Sequence, residues 1–161
     1  IFEKDFIAAQ QLYEQLYLKK YSEHNIQFQA IYLQALVNNG LMHLRLLWDV
    51  KSNVAVGVVG LMGQDGVITV PVVGYDQTSS KNKALYRRVM IYAIQYASSK
   101  DLILNCSSGA PSFKKLRGAQ PQLEYFFVKV DHTNRFSRVV WKAIHFISVK
   151  IYAAILQRNQ L

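Results

Sequence analysis

Residues 66–117 limit the possible folds of this chain more than any other stretch. An apolar strand pattern at residues 67–73 leads through a Ser-containing loop into a helical pattern at residues 83–99. A second strand pattern at 101–106 leads through another Ser-containing loop into a short helix at 111–117. When a helix connects two strands of one sheet, the strands run parallel. The stretch therefore predicts a parallel strand pair joined by a crossover helix.

The flanking segments predict a mostly antiparallel sheet around this pair. Helices are expected at residues 1–22 and 26–38, the second with Phe28, Ile31, Tyr32, Ala35 and Leu36 facing inward. From residue 41 the apolar period changes to two, which predicts strands at 41–50 and 54–62 that form a meander with the strand at 67–73. A last strand at 123–130 and a long helix at 134–157 follow. The order predicts a mixed α/β fold with flanking helices.

Length and composition add further expectations. We expect one domain over residues 1–161, made of a helical pair (1–40), a sheet with central and short helices (41–131) and a terminal basic helix (132–161). One cysteine, Cys106, excludes an internal disulfide and suggests a reducing, cytoplasmic compartment. No His or Cys spacing indicates a metal site. We find no apolar run long enough to span a bilayer, and a start inside a predicted helix suggests a longer chain with a second domain.

The positive charge is concentrated in the second half of the chain. The net charge is +9. Residues 1–50 contain four Lys or Arg against five Asp or Glu, whereas residues 112–161 contain nine against two. This asymmetry suggests an anionic partner, which could be a nucleotide cofactor, RNA or an acidic lipid. A solvated basic surface is the alternative.

The loop before the central helix has the features of an anion site. Ser79 or Ser80 could cap the helix, and Lys81, Lys83, Arg87 and Arg88 cluster at its start. Cations there oppose the helix dipole, so their presence is better explained if an anion binds among them. Solvated lysines around a capped helix are the alternative.

The second loop carries Ser107 and Ser108 and leads to Phe113, Lys114 and Lys115. Neighbouring lysines on a helix point about 100° apart, so only one can lean over the strand end. No G-x-S-x-G pattern surrounds the serines, which argues against a Ser hydrolase. The absence of a Walker or G-x-G-x-x-G pattern argues against an NTPase or a dinucleotide enzyme.

Several short motifs resemble the acetyltransferase-like half of the GNAT superfamily, most closely its Fem-type (FemAB-like) branch. The resemblance covers residues 26–131 and rests on these segments: residues 71–76 (PVVGYD), 85–87 (LYR), 105–109 (NCSSG), Phe113-Lys114, residues 117–119 (RGA), Pro121 and Glu124-Tyr125. It implies that the parallel strands splay apart, that an acyl donor lies between them and that phosphates bind at the start of the central helix.

The resemblance also implies roles for individual residues. Those implied to bind the donor are Val73, Gly74, Ser79, Ser80, Lys81, Lys83 and Arg87. Those implied to bind substrate are Ser107, Ser108, Phe113 and Glu124. Lys114, Tyr75 and Tyr125 are the implied catalytic residues.

One departure from the superfamily pattern affects the donor. The usual acyl-CoA loop, R/Q-x-x-G-x-G/A, contains glycines, whereas residues 77–84 contain none. This departure opens aminoacyl-tRNA or another activated acyl donor, as in the Fem-type branch, beside acyl-CoA. The resemblance as a whole implies an N-acyltransferase that transfers an acyl or aminoacyl group from such a donor to an amine. Two alternatives remain: a non-catalytic module that binds RNA or an anionic ligand, and a membrane-peripheral domain whose terminal basic helix lies on a membrane surface.

Overall fold

A four-stranded mixed sheet forms the centre of the first of two units, Ile1–Gly109 and Ala110–Leu161. The computed structural model describes residues 2–78, 84–107, 111–125 and 127–158. The strands are β1 (His43–Asp49), β2 (Val54–Gln64), β3 (Val67–Tyr75) and β4 (Ile103–Asn105), in the order β1-β2-β3-β4. The first three are antiparallel, and β4 pairs with β3 in parallel. The predicted mixed α/β fold class is confirmed.

Among the described residues of the first unit, three helices accompany the sheet. They are α1 (Glu3–Leu16), which continues as a π-helical turn over Tyr17–Tyr21, α2 (Ala30–Asn38) and α3 (Leu85–Ser99). Because α3 lies between β3 and β4 in the chain, it is the predicted crossover helix. The prediction of a single domain over residues 1–161 stays a prediction.

The sheet has helices on both faces. Val58 and Val72 belong to the core that α1 and α2 cover, whereas their neighbours Val59 and Val73 belong to the core that α3 covers. Successive side chains of a strand point to opposite faces, so the apolar pairs of β2 and β3 fill both cores. This explains why these strands read as continuous apolar runs rather than as alternating ones.

The predicted details of α2 are partly wrong. The helix begins at Ala30, whose main-chain N–H donates to Oε1 of Gln10 in α1 (2.7 Å). Its buried residues are Leu33 and Leu36, whereas Ile31 is 73% exposed. The helix is apolar around most of its circumference, so its periodicity does not single out one face. Contacts with α1 select the buried face instead.

The second unit begins with a short helix, α4 (Pro111–Lys115). Gly118, at φ +82°, takes the left-handed conformation that commonly follows a helix end. A long helix then consists of α5 (Arg135–Phe146), a π-helical stretch (Ile147–Tyr152) and α6 (Ala153–Arg158). Oδ1 of Asn134 accepts a hydrogen bond from the main-chain N–H of Ser137 (2.8 Å) and caps α5.

Two predictions for the second half of the chain are wrong. The described residues of segment 123–130 form no strand; this apolar stretch has high β-propensity, but Tyr125 and Phe127 are 67% and 95% exposed. The helix Arg135–Leu156 is long and apolar enough to cross a membrane by length and composition, contrary to the expectation of no such run. Basic residues spread along it break the continuous apolar run that the expectation required.

Candidate functional site

The parallel strands β3 and β4 separate shortly after they begin. They pair at Val67–Ile103, Ile68–Leu104 and Thr69–Asn105. β4 then ends, while β3 continues to Tyr75. From residue 70 onward, no residue of β4 pairs with β3. The predicted splay of the parallel pair is therefore confirmed: among the described residues, β3 has no strand partner on this side beyond Thr69.

Both strands contain a local cause of this separation. In β3, Val70 and Pro71 together face the single residue Leu61 of β2, which is a β-bulge. A bulge bends its strand, and Pro71 has no N–H to donate to a neighbour. After β4, Oδ1 of Asn105 accepts from the main-chain N–H of Ser107 (2.7 Å), and Ser107 has φ +57°. This Asx turn redirects the chain where pairing ends.

A group of aromatic hydroxyls lies beside the separated strands. Tyr75 ends β3, and its ring centroid is 6.1 Å from that of Tyr86 in the first turn of α3. The π-helical turn after α1 contributes Tyr17 and Tyr21, whose ring centroids are 5.9 Å apart. We call Tyr17, Tyr21, Tyr75 and Tyr86 the tyrosine cluster.

Electrostatics connect the members of this cluster. Burial raises the pKa of Tyr86, and the nearby Tyr17, Tyr75, Cys106 and Tyr21 raise it further. Burial, followed by Tyr21 and Tyr75, likewise raises the pKa of Tyr17. Raised pKa values keep both phenols protonated at neutral pH. The cluster can therefore supply a proton donor next to the gap.

The start of α3 is positively charged. Its first turn contains Arg87 and Arg88, both exposed, and no acidic residue. The preceding loop begins with a turn in which Oδ1 of Asp76 accepts hydrogen bonds from the main-chain N–H (2.9 Å) and the hydroxyl (2.7 Å) of Thr78. The candidates Ser79, Ser80, Lys81 and Lys83 lie outside the described residues.

Val73 and Gly74 lie in β3 beside the gap but have structural roles. The Val73 side chain is 6% exposed and packs in the core under α3. A Cβ on Gly74 would overlap the backbone of Leu12, so the glycine permits α1 to lie close against β3. Any contact of Val73 with a ligand would therefore use main-chain atoms.

The remaining candidates are divided between the two units. Ser107 is exposed at the end of β4, whereas Ser108 lies outside the described residues. Phe113 and Lys114 belong to α4 in the second unit, where the guanidinium carbon of Arg117 lies 3.4 Å from the Phe113 ring centroid. Glu124 and Tyr125 are exposed in the extended segment of the same unit. Their catalytic or substrate-binding roles stay predictions.

Two surface depressions lie at the opposite edge of the sheet, along β1. The larger, about 430 Å³, is lined by Asp5, His43, Arg45 and Trp48 among others. The smaller, about 240 Å³, extends from Arg45 and Trp48 to Arg88 and Tyr92. Within the described part of the chain, no group of three or more His, Cys, Asp or Glu could hold a metal ion.

Comparisons with known proteins agree with this architecture. No protein-family model matches the chain, and no curated protein matches it significantly. An acetyltransferase from Trypanosoma brucei has a similar structure, with a TM-score of 0.58 at 15% identity over 80% of this chain and 95% of that chain. The fold is that of the GNAT acetyltransferases.

Two further acetyltransferase structures resemble this chain to a similar degree. A protein described as a predicted acetyltransferase from Clostridium acetobutylicum, solved with acetyl-CoA, has a TM-score of 0.62 at 12% identity over 84% of this chain and 96% of that chain. Glucosamine-6-phosphate N-acetyltransferase from Arabidopsis thaliana has a TM-score of 0.57 at 14% identity over 81% and 95%. At these identities the likeness concerns the fold.

The sequence interpretation assigned a role to only one member of the tyrosine cluster, Tyr75. Tyr86 stands in one of the resembling motifs but received no role there. Tyr17 and Tyr21 are four residues apart on one helix, a spacing typical of ordinary core packing. Because the cluster joins three elements that are distant in sequence, local spacing could not reveal it.

Proposed function

We propose that this protein is an N-acyltransferase that transfers an acyl group from acyl-CoA to an amine. The observation that carries the proposal is the separation of β3 from β4 beside the start of α3. The structure of a predicted acetyltransferase from Clostridium acetobutylicum, which has a similar fold, was solved with acetyl-CoA. The gap offers an extended main-chain edge, and the first turn of α3 offers positive charge for phosphates.

Acyl-CoA suits the gap because of its chemistry. Its arm is a chain of amide groups that ends in a thioester, and amides pair with an open strand edge as an added strand would. The edge of β3 beyond Thr69 is such a surface. Arg87, in the first turn of α3, would complement the phosphates at the other end of the donor. Aminoacyl-tRNA as donor, membership of the Fem-type branch, a second domain and a cytoplasmic location all stay predictions.

The reaction requires three contributions from the chain. The amine nitrogen attacks the thioester carbonyl and the C–S bond breaks. The proton that the nitrogen loses passes to solvent, and the departing sulfur gains a proton from a phenol that solvent then reprotonates. Main-chain N–H groups of β3 would orient the carbonyl and stabilise its developing negative charge. Tyr86, whose pKa is raised by burial, would give its proton to the sulfur. Tyr75 stands beside it as a second phenol.

The first test is donor binding by the full chain. Acetyl-CoA should raise the melting temperature in a concentration-dependent way, because a ligand that binds only the folded state stabilises it. Arg87→Gln should weaken this binding and reduce its salt dependence, whereas Arg45→Gln, a matched change near the other sheet edge, should not. Release of free CoA thiol in the presence of amines would then measure turnover. A chain that binds tRNA but no acyl-CoA would refute the proposal.

A further inference from the structure

The long helix Arg135–Arg158, which we call the terminal helix, exposes far more apolar surface than a soluble protein usually does. Only 6% of its most apolar window is buried. Its exposed large apolar residues are Phe136 78%, Val139 64%, Val140 39%, Trp141 40%, Ile144 44%, Phe146 59%, Ile147 52%, Ile151 49%, Tyr152 61% and Ile155 49%. Contiguous apolar surface of this kind marks an interaction site.

Positive charge accompanies this apolar surface. In α5, Arg135, Arg138, Lys142 and His145 recur at steps of three and four and so share one side of the helix. Phe136, Val140 and Ile144 recur at steps of four on the other side. Residues 132–161 contain five Lys or Arg and no Asp or Glu. An apolar face beside one whose charges are all basic complements a surface that is both apolar and negatively charged.

We propose that the terminal helix binds the surface of an anionic lipid bilayer and lies in its interfacial plane. Its apolar side chains would enter the boundary between headgroups and acyl chains, while the basic side chains would contact lipid phosphates and carboxylates. Lys142 and Lys150 lie in the interior of the helix, where a spanning arrangement would place them in hydrocarbon. At an interface, their long side chains reach the headgroups instead.

The charge test uses cations that the fold does not need. Arg138 is left intact, because its Nη2 donates to the carbonyl of Asp131 (2.8 Å) and its Nε to that of Thr133 (3.0 Å). The test variant of the full chain carries Arg135→Gln, Lys142→Gln and Lys150→Gln. The control variant carries Lys4→Gln, Lys51→Gln and Lys100→Gln, which remove the same charge from exposed positions of the first unit.

Co-sedimentation with vesicles measures the binding. Vesicles of phosphatidylcholine with about 30% phosphatidylserine should bind the wild-type chain, and vesicles of phosphatidylcholine alone should bind it much less. The test variant should lose about 100-fold in affinity, because each cation near such a surface contributes roughly fivefold. The control should lose far less. High salt should release the wild-type chain, since it screens the lipid charge.

The apolar contribution has its own pair of variants. Phe136→Ser with Ile147→Ser should weaken binding by roughly 10-fold per residue. Val50→Ser with Ile31→Ser is the control, because Val50 and Ile31 are 93% and 73% exposed but lie in the first unit. All four residues are exposed, so melting temperatures should change little, and binding of acyl-CoA serves as a second check on folding.

Three outcomes would overturn the proposal. Equal binding to neutral and anionic vesicles would remove the role of charge. Binding that survives both high salt and alkaline carbonate extraction would show a spanning helix instead. Concentration-dependent self-association, lost in the apolar variant and accompanied by no vesicle binding, would show that a second copy of the chain covers this face.

Discussion

Tyr86→Phe should slow acyl transfer while leaving donor binding and folding intact. The substitution removes one hydroxyl and keeps the half-buried ring that faces Tyr75 at 6.1 Å between centroids. In the proposed reaction, that hydroxyl protonates the departing sulfur. Loss of a positioned acid typically costs about 10²- to 10⁴-fold in rate. Because Tyr75 provides a second phenol nearby, we expect a loss of about 100-fold, which corresponds to about 2.7 kcal/mol of activation free energy.

The assay is release of CoA thiol at saturating amine, measured against pH. Wild-type kcat should fall only above about pH 10, because burial and neighbouring phenols raise the pKa of Tyr86 above the usual tyrosine value and the phenol must be protonated to act. The Phe variant should lose this alkaline fall as well as the rate, with the KM for acyl-CoA nearly unchanged.

Tyr21→Phe is the matched control, because Tyr21 belongs to the same cluster but is 63% exposed. It should keep most of the activity. If Tyr86→Phe retained kcat within about twofold of the wild type, or kept the alkaline fall, Tyr86 would not be the proton donor.

Three further predictions concern other parts of the chain. Lys114→Ala should reduce turnover about 30- to 1,000-fold, whereas Lys115→Ala should have little effect, because only Lys114 belongs to the resembling Phe-Lys pair and a lost charge-assisted contact has this magnitude. His43→Gln should make stability less sensitive to acid. Burial, followed by the charges of Arg45 and Lys100, lowers the pKa of His43 in the folded chain. The free energy of unfolding of the wild type therefore decreases as the pH falls below about 6.5, where the unfolded chain binds the proton more readily. Tyr13→Phe should make stability less sensitive to alkali. Burial raises the pKa of Tyr13 to about 12. The free energy of unfolding of the wild type therefore decreases by up to about 3 kcal/mol between about pH 10 and about pH 12.

These three predictions have separate measurements. Equal, small losses of turnover for both lysine variants would remove Lys114 from the site. Melting temperatures from about pH 7.5 to about pH 5 test His43, whose Nε2 lies at hydrogen-bonding distance (2.7 Å) from the Tyr92 hydroxyl. Parallel curves for wild type and His43→Gln would contradict the reasoning. For Tyr13, the alkaline unfolding of the wild type is compared with that of Tyr13→Phe. The variant loses the hydrogen bond from the Tyr13 hydroxyl to the carbonyl of Ile26 (2.8 Å), which lowers its free energy of unfolding by about 1 kcal/mol at neutral pH.

The sequence by itself determined the order and direction of the strands. Short turns between β1, β2 and β3 require antiparallel neighbours, and a helix of the length of α3 between β3 and β4 requires a parallel pair. Pro71 marked the position where pairing is interrupted, because it lacks an N–H whatever its surroundings. Such features depend on residues close together in the chain, so local pattern was sufficient for them.

Contacts between distant residues decided the rest. The buried face of α2 depends on α1, and the tyrosine cluster depends on α1, β3 and α3 meeting at one point. The segment around Tyr125 and Phe127 has strand-forming residues, but a strand exists only where a partner lies beside it. Periodicity shows which side chains are apolar, whereas only tertiary structure shows what covers them. The sequence already suggested a terminal basic helix on a membrane surface, but only the folded chain showed that the apolar side chains of this helix are exposed.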